Sequence, residues 1–147
     1  MKNQVAKGIA ILGLFFVLAA ASVQAQTPSS VETNIPFNFT AGKASLKAGA
    51  YSVKRISNSA LSIRSADGKT TVLVNAPLTL GARESRAGER LVFNKYGDQY
   101  FLSQVWLSVE SGRQLFTSGA ETRTAREFQI AHRDARPERV EVAVRSN

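Results

Sequence analysis

The sequence predicts a mainly β protein, a small antiparallel barrel or sandwich of about seven strands with one short C-terminal helix. Three features lead to this fold class. Apolar and polar residues alternate through much of the chain, Gly-containing turns separate the alternating segments, and one segment near the end lacks both Gly and Pro. We expect residues 26–147 to form a single domain. The chain has no cysteine and therefore no disulfides. A domain of this length is large enough to bury a stable core without them.

The first predicted elements are two strands joined by a turn. Apolar side chains alternate with polar ones in residues 31–39, and we expect this strand at a sheet edge because Pro36 has no amide hydrogen to donate. A turn at residues 41–43 follows. Residues 51–56 alternate again and predict the next strand.

Two hairpins come next. Residues 60–75 predict the first, with Asp67-Gly68 as the turn that needs a positive φ. Residues 77–89 are polar and predict a long loop, whose start can extend as a strand. Residues 90–107 predict the second hairpin, which turns at residues 94–98.

The return strand of the second hairpin is apolar on both faces. Strict alternation gives one face with Phe101, Ser103, Val105 and Leu107, and another with Tyr100, Leu102, Gln104 and Trp106. Such a strand belongs in the middle of a sheet that is covered on both sides. Residues 120–132 predict an amphipathic helix, which we expect to be the cover. Pro137 ends this segment, and residues 140–144 alternate as a closing strand.

The first 25 residues have the pattern of an export signal. Lysines precede an apolar run at residues 8–21, and small residues at positions 23–25 predict cleavage after Ala25. The run is shorter than the ~20 residues that span a bilayer, so an uncleaved anchor is the less favoured alternative. We therefore expect a periplasmic or extracellular protein, with no transmembrane span in residues 26–147.

The chain is basic, but its charges are mixed. The net charge is +8, and loss of Lys2 and Lys7 with the leader would lower it by two. Acidic residues interrupt the arginines at residues 83–90 and 123–134, whereas a specific nucleic-acid binder tends to gather its cations in one patch. The pattern indicates a solvated surface, with at most a weak attraction to anionic polysaccharide or lipid head groups.

Few residues are suited to catalysis. The only histidine, His132, lies at the end of the predicted helix, where a structural role is expected. The sequence has no G-x-S-x-G elbow, no Gly-rich phosphate loop and no closely spaced aspartates, so it predicts no metal and no cofactor. A hydrolase of extracellular or cell-wall polymer needs only two carboxylates and stays open as an alternative. The acids considered for it lie beside turns or strand ends: Glu32, Asp67, Asp98 and Glu110.

Tyr96, Tyr100 and Trp106 are the candidate binding residues. Each has a flat apolar ring with a polar group, which suits stacking on a sugar or lining an apolar pocket. The alternative is that they pack the core and bracket the hairpin. The predicted function is a non-enzymatic exported β module, whose partner is an envelope component, a glycan or a small apolar ligand.

Five segments resemble a group of small exported proteins of environmental bacteria. They are residues 35–39 (IPFNF), 48–53 (AGAYSV), 63–69 (IRSADGK), 91–98 (LVFNKYGD) and 100–102 (YFL). The resemblance covers most of residues 31–108 and implies a β-rich fold and an envelope location. It implies no catalytic residue, because that group has no assigned activity.

Overall fold

The computed structural model describes residues 30–81, 88–133 and 135–146, which form two β-sheets and one helix. The predicted leader and its cleavage point at Ala25 lie outside the described residues. The strands are β1 (Ser30–Ile35), β2 (Phe39–Ala41), β3 (Ala44–Leu46), β4 (Gly49–Arg55), β5 (Ala60–Ser65), β6 (Thr71–Asn75), β7 (Leu78–Gly81), β8 (Arg90–Tyr96), β9 (Gln99–Trp106), β10 (Ser111–Gln114), β11 (Glu138–Ala143) and β12 (Arg145–Ser146). The helix, α1, is Gly119–Ala131.

The first sheet is antiparallel and has the order β12-β1-β4-β5-β6, in which β12 is only two residues long. The predicted hairpin of residues 60–75 is confirmed as β5 and β6. Gly68 in its turn has a φ of 71°, and Oδ1 of Asp67 accepts the amide hydrogen of Lys69 at 3.1 Å. The turn chemistry predicted from Asp67-Gly68 therefore forms.

The second sheet has the order β11-β8-β9-β10-β7, and the β2–β3 hairpin joins it at β9. One edge of β9 is paired along its length with β8. The other edge is shared, because β10 pairs with its C-terminal half and β2 pairs in parallel at Phe101. The two sheets do not close into a barrel among the described strands, so the barrel alternative is not the one that forms.

The core lies between the two sheets. Its buried members include Val31, Val53, Leu61 and Ile63 from the first sheet and Leu91, Phe93, Leu102 and Val105 from the second. Phe39 connects the sheets, because its ring meets the rings of Tyr51 and Phe93 edge-on at 5.4 Å. Burial of these apolar side chains is the main stabilising contribution in a chain without disulfides.

Strand β9 departs from strict alternation at Ser103. Val92 is paired with Gln104, but the next residue of β8, Phe93, is paired with Leu102, so Ser103 is an extra residue in a β-bulge. The prediction that one alternation runs through residues 100–107 is therefore wrong. Because of the bulge, the core-facing residues of β9 and its C-terminal end are Tyr100, Leu102, Val105 and Leu107.

Helix α1 packs on the outer face of the second sheet at the end of β8, next to the β8–β9 turn, so it covers only part of the strand pair that it was predicted to cover. Oε1 of Glu121 accepts a hydrogen bond from Nδ2 of Asn94 at 2.8 Å, and the rings of Phe128 and Tyr96 meet edge-on at 5.9 Å. The helix begins after Ser118, whose Oγ accepts the amide hydrogen of Glu121 at 3.1 Å. The second sheet is thus covered on both faces at this end of β8.

The prediction of about seven strands is too low, because the described residues form twelve, several of them only two to four residues long. The strand predicted at residues 31–39 is divided into β1 and β2, because the chain leaves the sheet at Pro36, which cannot donate a ladder hydrogen bond. Strand β10 was not predicted, because its sequence, Ser-Gly-Arg-Gln, has no β-branched or alternating apolar residue. The closing strand is confirmed as β11, which pairs with β8.

Candidate functional site

Trp106, a candidate binding residue, is inside the protein. Its side chain is 0% exposed, and Cζ of Arg90 lies 4.7 Å from the centroid of the ring. Its Nε1 donates a hydrogen bond to Oε1 of Gln104 at 3.2 Å. The ring therefore has no surface that a sugar could stack on in this conformation.

The two tyrosines lie on opposite faces of the second sheet. Tyr96 faces α1 and is nearly buried, with its hydroxyl donating to Oε1 of Glu121 at 3.3 Å. Tyr100 packs against the core side, where its ring stacks on Phe37 with the centroids 3.9 Å apart. The structure does not bring Tyr96, Tyr100 and Trp106 together on one exposed strip. That these residues bind a ligand stays a prediction.

Glu121 is a buried carboxylate at the start of α1. It is 5% exposed, and its Oε1 accepts hydrogen bonds from the side chains of Asn94 and Tyr96. Burial, followed by the charge of Glu121, raises the pKa of Tyr96 above its usual value. This cluster holds the beginning of the helix against β8.

A groove of about 560 Å³ lies beside the turn of the β5–β6 hairpin. Asp67 is the one acidic residue among those that line it, and the hydroxyl of Ser65 lowers the pKa of Asp67 by donating to it. The hydroxyl of Tyr51 in the same groove donates to the carbonyl oxygen of Lys47 at 2.7 Å. A glycosidase needs a second carboxylate across the cleft. The hydrolase alternative stays a prediction without support from this groove.

A second groove, of about 540 Å³, lies along β6 and is mostly apolar. We call it the β6 groove. One wall is β6 itself, and the others are the β2–β3 turn and the segment that leads into α1. Its lining residues include Lys43, Val72, Leu73, Val74 and Phe116.

Strand β6 is an edge strand with an apolar sequence. Within the described part of the chain it is paired with β5 alone, so alternate N–H and C=O groups of its other edge point away from the sheet. Its sequence, Thr-Val-Leu-Val-Asn, has no charge and no proline. The edge strand β11 of the other sheet has three charged residues, which is the usual protection against unwanted pairing.

Both faces of β6 present apolar side chains at this edge. Val72 and Val74 are paired with the core residues Ile63 and Leu61, so they point inward. Leu73 is paired with Ser62 on the outer face and is 67% exposed. Phe116, across the groove, is 58% exposed. Leu73 and Phe116 therefore expose apolar surface beside the edge of β6 that no described strand pairs with.

Sequence reasoning did not identify the β6 groove. The sequence of β6 did carry a signal. The strand is uncharged, and Leu73 is an apolar residue on the same face as Thr71 and Asn75, which is unusual for an edge strand. No local signal indicated Phe116, which lies outside any strand or helix.

Comparisons with known proteins do not assign a family. No family model matches the chain, and no curated protein or solved structure is similar to it. In the described ranges, no helix has both the length and the apolar character needed to cross a membrane.

Proposed function

We propose that this protein is an exported, non-enzymatic β module that binds an extended segment of a partner polypeptide along β6. The proposal rests on one observation: an uncharged strand edge that no described strand pairs with lies beside an apolar groove whose rim exposes Leu73 and Phe116. Addition of a strand to such an edge is a common mode of peptide recognition, in which the backbone provides affinity and the side chains provide specificity.

The register of β6 determines what an added strand would contact. Residues of the added strand opposite Val72 and Val74 would point into the groove, towards Phe116. The residue between them would pack beside Leu73 on the outer face. We therefore expect apolar residues at the alternate positions opposite Val72 and Val74, with the residue between them beside Leu73.

A partner polypeptide suits this edge better than a second copy of the chain. The net charge stays positive after loss of Lys2 and Lys7 with the leader and makes two copies repel each other, and a strand edge that is itself uncharged does not offset this repulsion. The groove is open along the strand, whereas a small lipophilic ligand is usually enclosed on most sides. We therefore assign the β6 groove to an extended polypeptide.

The binding proposal is tested by selecting a display library of random peptides on the immobilised protein. We expect enriched peptides with alternating apolar residues, whose affinity falls at least about tenfold with Leu73→Lys or Phe116→Ser. Ile130→Lys is the matched control, because Ile130 is 75% exposed on α1 and does not line the groove. No enrichment, or enriched peptides that bind both groove variants at full affinity, would refute the proposal.

The export part of the proposal rests on the N-terminal sequence pattern. We expect the protein recovered from the cell envelope or the medium to begin at Gln26, because cleavage follows Ala25. Amino-terminal sequencing of the fractionated protein measures this directly. An intact leader on protein found only in the cytoplasm would contradict it.

A further inference from the structure

We infer that the partner segment is acidic and that Lys43 recognises its carboxylate; this inference rests on the proposed binding at β6. Lys43 is exposed and lines the β6 groove. No acidic residue is among the groove-lining residues that the structure describes. An incoming carboxylate would therefore meet a cation at the rim and no repelling anion in the lining.

The position of Lys43 is defined by a tight turn. Lys43 follows Gly42, which has a φ of 60° in the β2–β3 hairpin. A Cβ added at Gly42 would lie 3.5 Å from Cγ1 of Val74, so this turn packs directly against β6. Lys43 is therefore beside the C-terminal half of β6, where it can reach the end of an added strand.

The two ends of β6 have different charged surroundings. Asp67, Lys69 and Arg64, the cross-strand partner of Thr71, mix one acid with two cations at the N-terminal end. Lys43, beside the C-terminal half, is the one charged residue among the groove-lining residues that the structure describes. We expect the carboxylates of the partner to lie there, and the net charge of the whole chain attracts them over a longer range.

Three synthetic peptides test this inference. They share a short core of alternating valine and threonine and end in two glutamates, two glutamines or two lysines. We expect the glutamate peptide to bind about tenfold more tightly than the lysine peptide at low salt, with the difference shrinking as salt screens the charges. Slower hydrogen exchange of the β6 amides on binding would locate each peptide.

Variants at Lys43 provide the decisive comparison. Lys43→Gln should abolish the preference for the glutamate peptide, and Lys43→Glu should reverse it. Lys54→Glu is the matched control, because Lys54 is exposed on β4 outside the groove and the charge change is the same. If Lys54→Glu reverses the preference equally, the effect is one of net charge and the role of Lys43 is refuted.

The remaining outcomes separate this inference from the proposed function. If all three peptides slow exchange at β6 with equal affinity, the acidic preference is wrong and the strand-binding function stands. If none of them slows exchange at β6, the strand-binding function fails and the inference about Lys43 fails with it. If the protein instead forms a dimer that protects β6, measured by analytical ultracentrifugation, the occupant is a second copy and both are refuted.

Discussion

Gly112 and Trp106 are cross-strand neighbours, and the indole ring lies so close to the glycine that an added Cβ would come within 2.5 Å of Cδ2. A distance this short is a steric clash, so only glycine fits below the ring. The glycine allows β10 to pair with β9 and allows Trp106 to be completely buried. Strand β10, which has no apolar alternation, can thus pair with β9 because Gly112 leaves room for the ring of Trp106.

The first prediction concerns this contact. Gly112→Ala should lower the free energy of unfolding by about 2 to 4 kcal/mol, because the ring or the strand must move to admit the methyl group. Gly88→Ala is the control, since a Cβ there meets no atom within 4 Å, and its effect should stay within about 0.5 kcal/mol. Urea unfolding followed by tryptophan fluorescence measures both. Equal stability of the two variants would show that the packing around Trp106 is loose.

The second prediction concerns the attachment of α1 to the sheet. Glu121→Ala should cost about 2 kcal/mol, because it leaves the amide of Asn94 and the hydroxyl of Tyr96 without their buried acceptor. Asn94→Ala should be coupled to it by about 1 kcal/mol in a double-mutant cycle. Glu127→Ala, on the exposed face of the same helix, should have little effect. Additive effects of the Asn94 and Glu121 variants would contradict a direct interaction.

The third prediction is a pH dependence. Burial and the charge of Glu121 raise the pKa of Tyr96 above its usual value of 10.0, so the folded state keeps a proton that the unfolded state loses. The stability due to this group is fully present below pH 10.0 and is lost as the pH rises through the pKa of the folded state. Tyr96→Phe should therefore make the fall in stability above about pH 10 shallower, as measured by urea unfolding at a series of pH values. An unchanged slope would be inconsistent with this burial.

The fourth prediction separates backbone conformation from steric contact. Gly97, in the β8–β9 turn, has a φ of 63°, and a Cβ there would meet no atom within 4 Å. Gly97→Ala should therefore cost about 1 kcal/mol through backbone strain alone, and Gly97→Asn should cost less because asparagine tolerates this conformation. Thermal unfolding of the two variants measures the difference. Equal losses would mean that the turn changes its conformation in the variants.

Local sequence determined the two hairpins and the helix. The turns at Asp67-Gly68 and around Gly97 require positive φ, and glycine supplies it wherever the rest of the chain lies. The cap of α1 likewise depends on residues three apart, Ser118 and Glu121. These features were predictable because the interacting groups are close in sequence. For the candidate site, the same reasoning predicted the hairpin of residues 60–75, whose second strand is β6.

Only the tertiary structure decided which faces and edges those strands present. The bulge at Ser103 shifts the alternation of β9, and with it the burial of Trp106, because register depends on the pairing of β9 with β8. In the same way, β6 lies at a sheet edge facing Phe116 because of how distant segments pack. Local patterns specify which residues form strands. Pairing between segments far apart in sequence decides which strand lies at a sheet edge, and the β6 groove depends on that pairing.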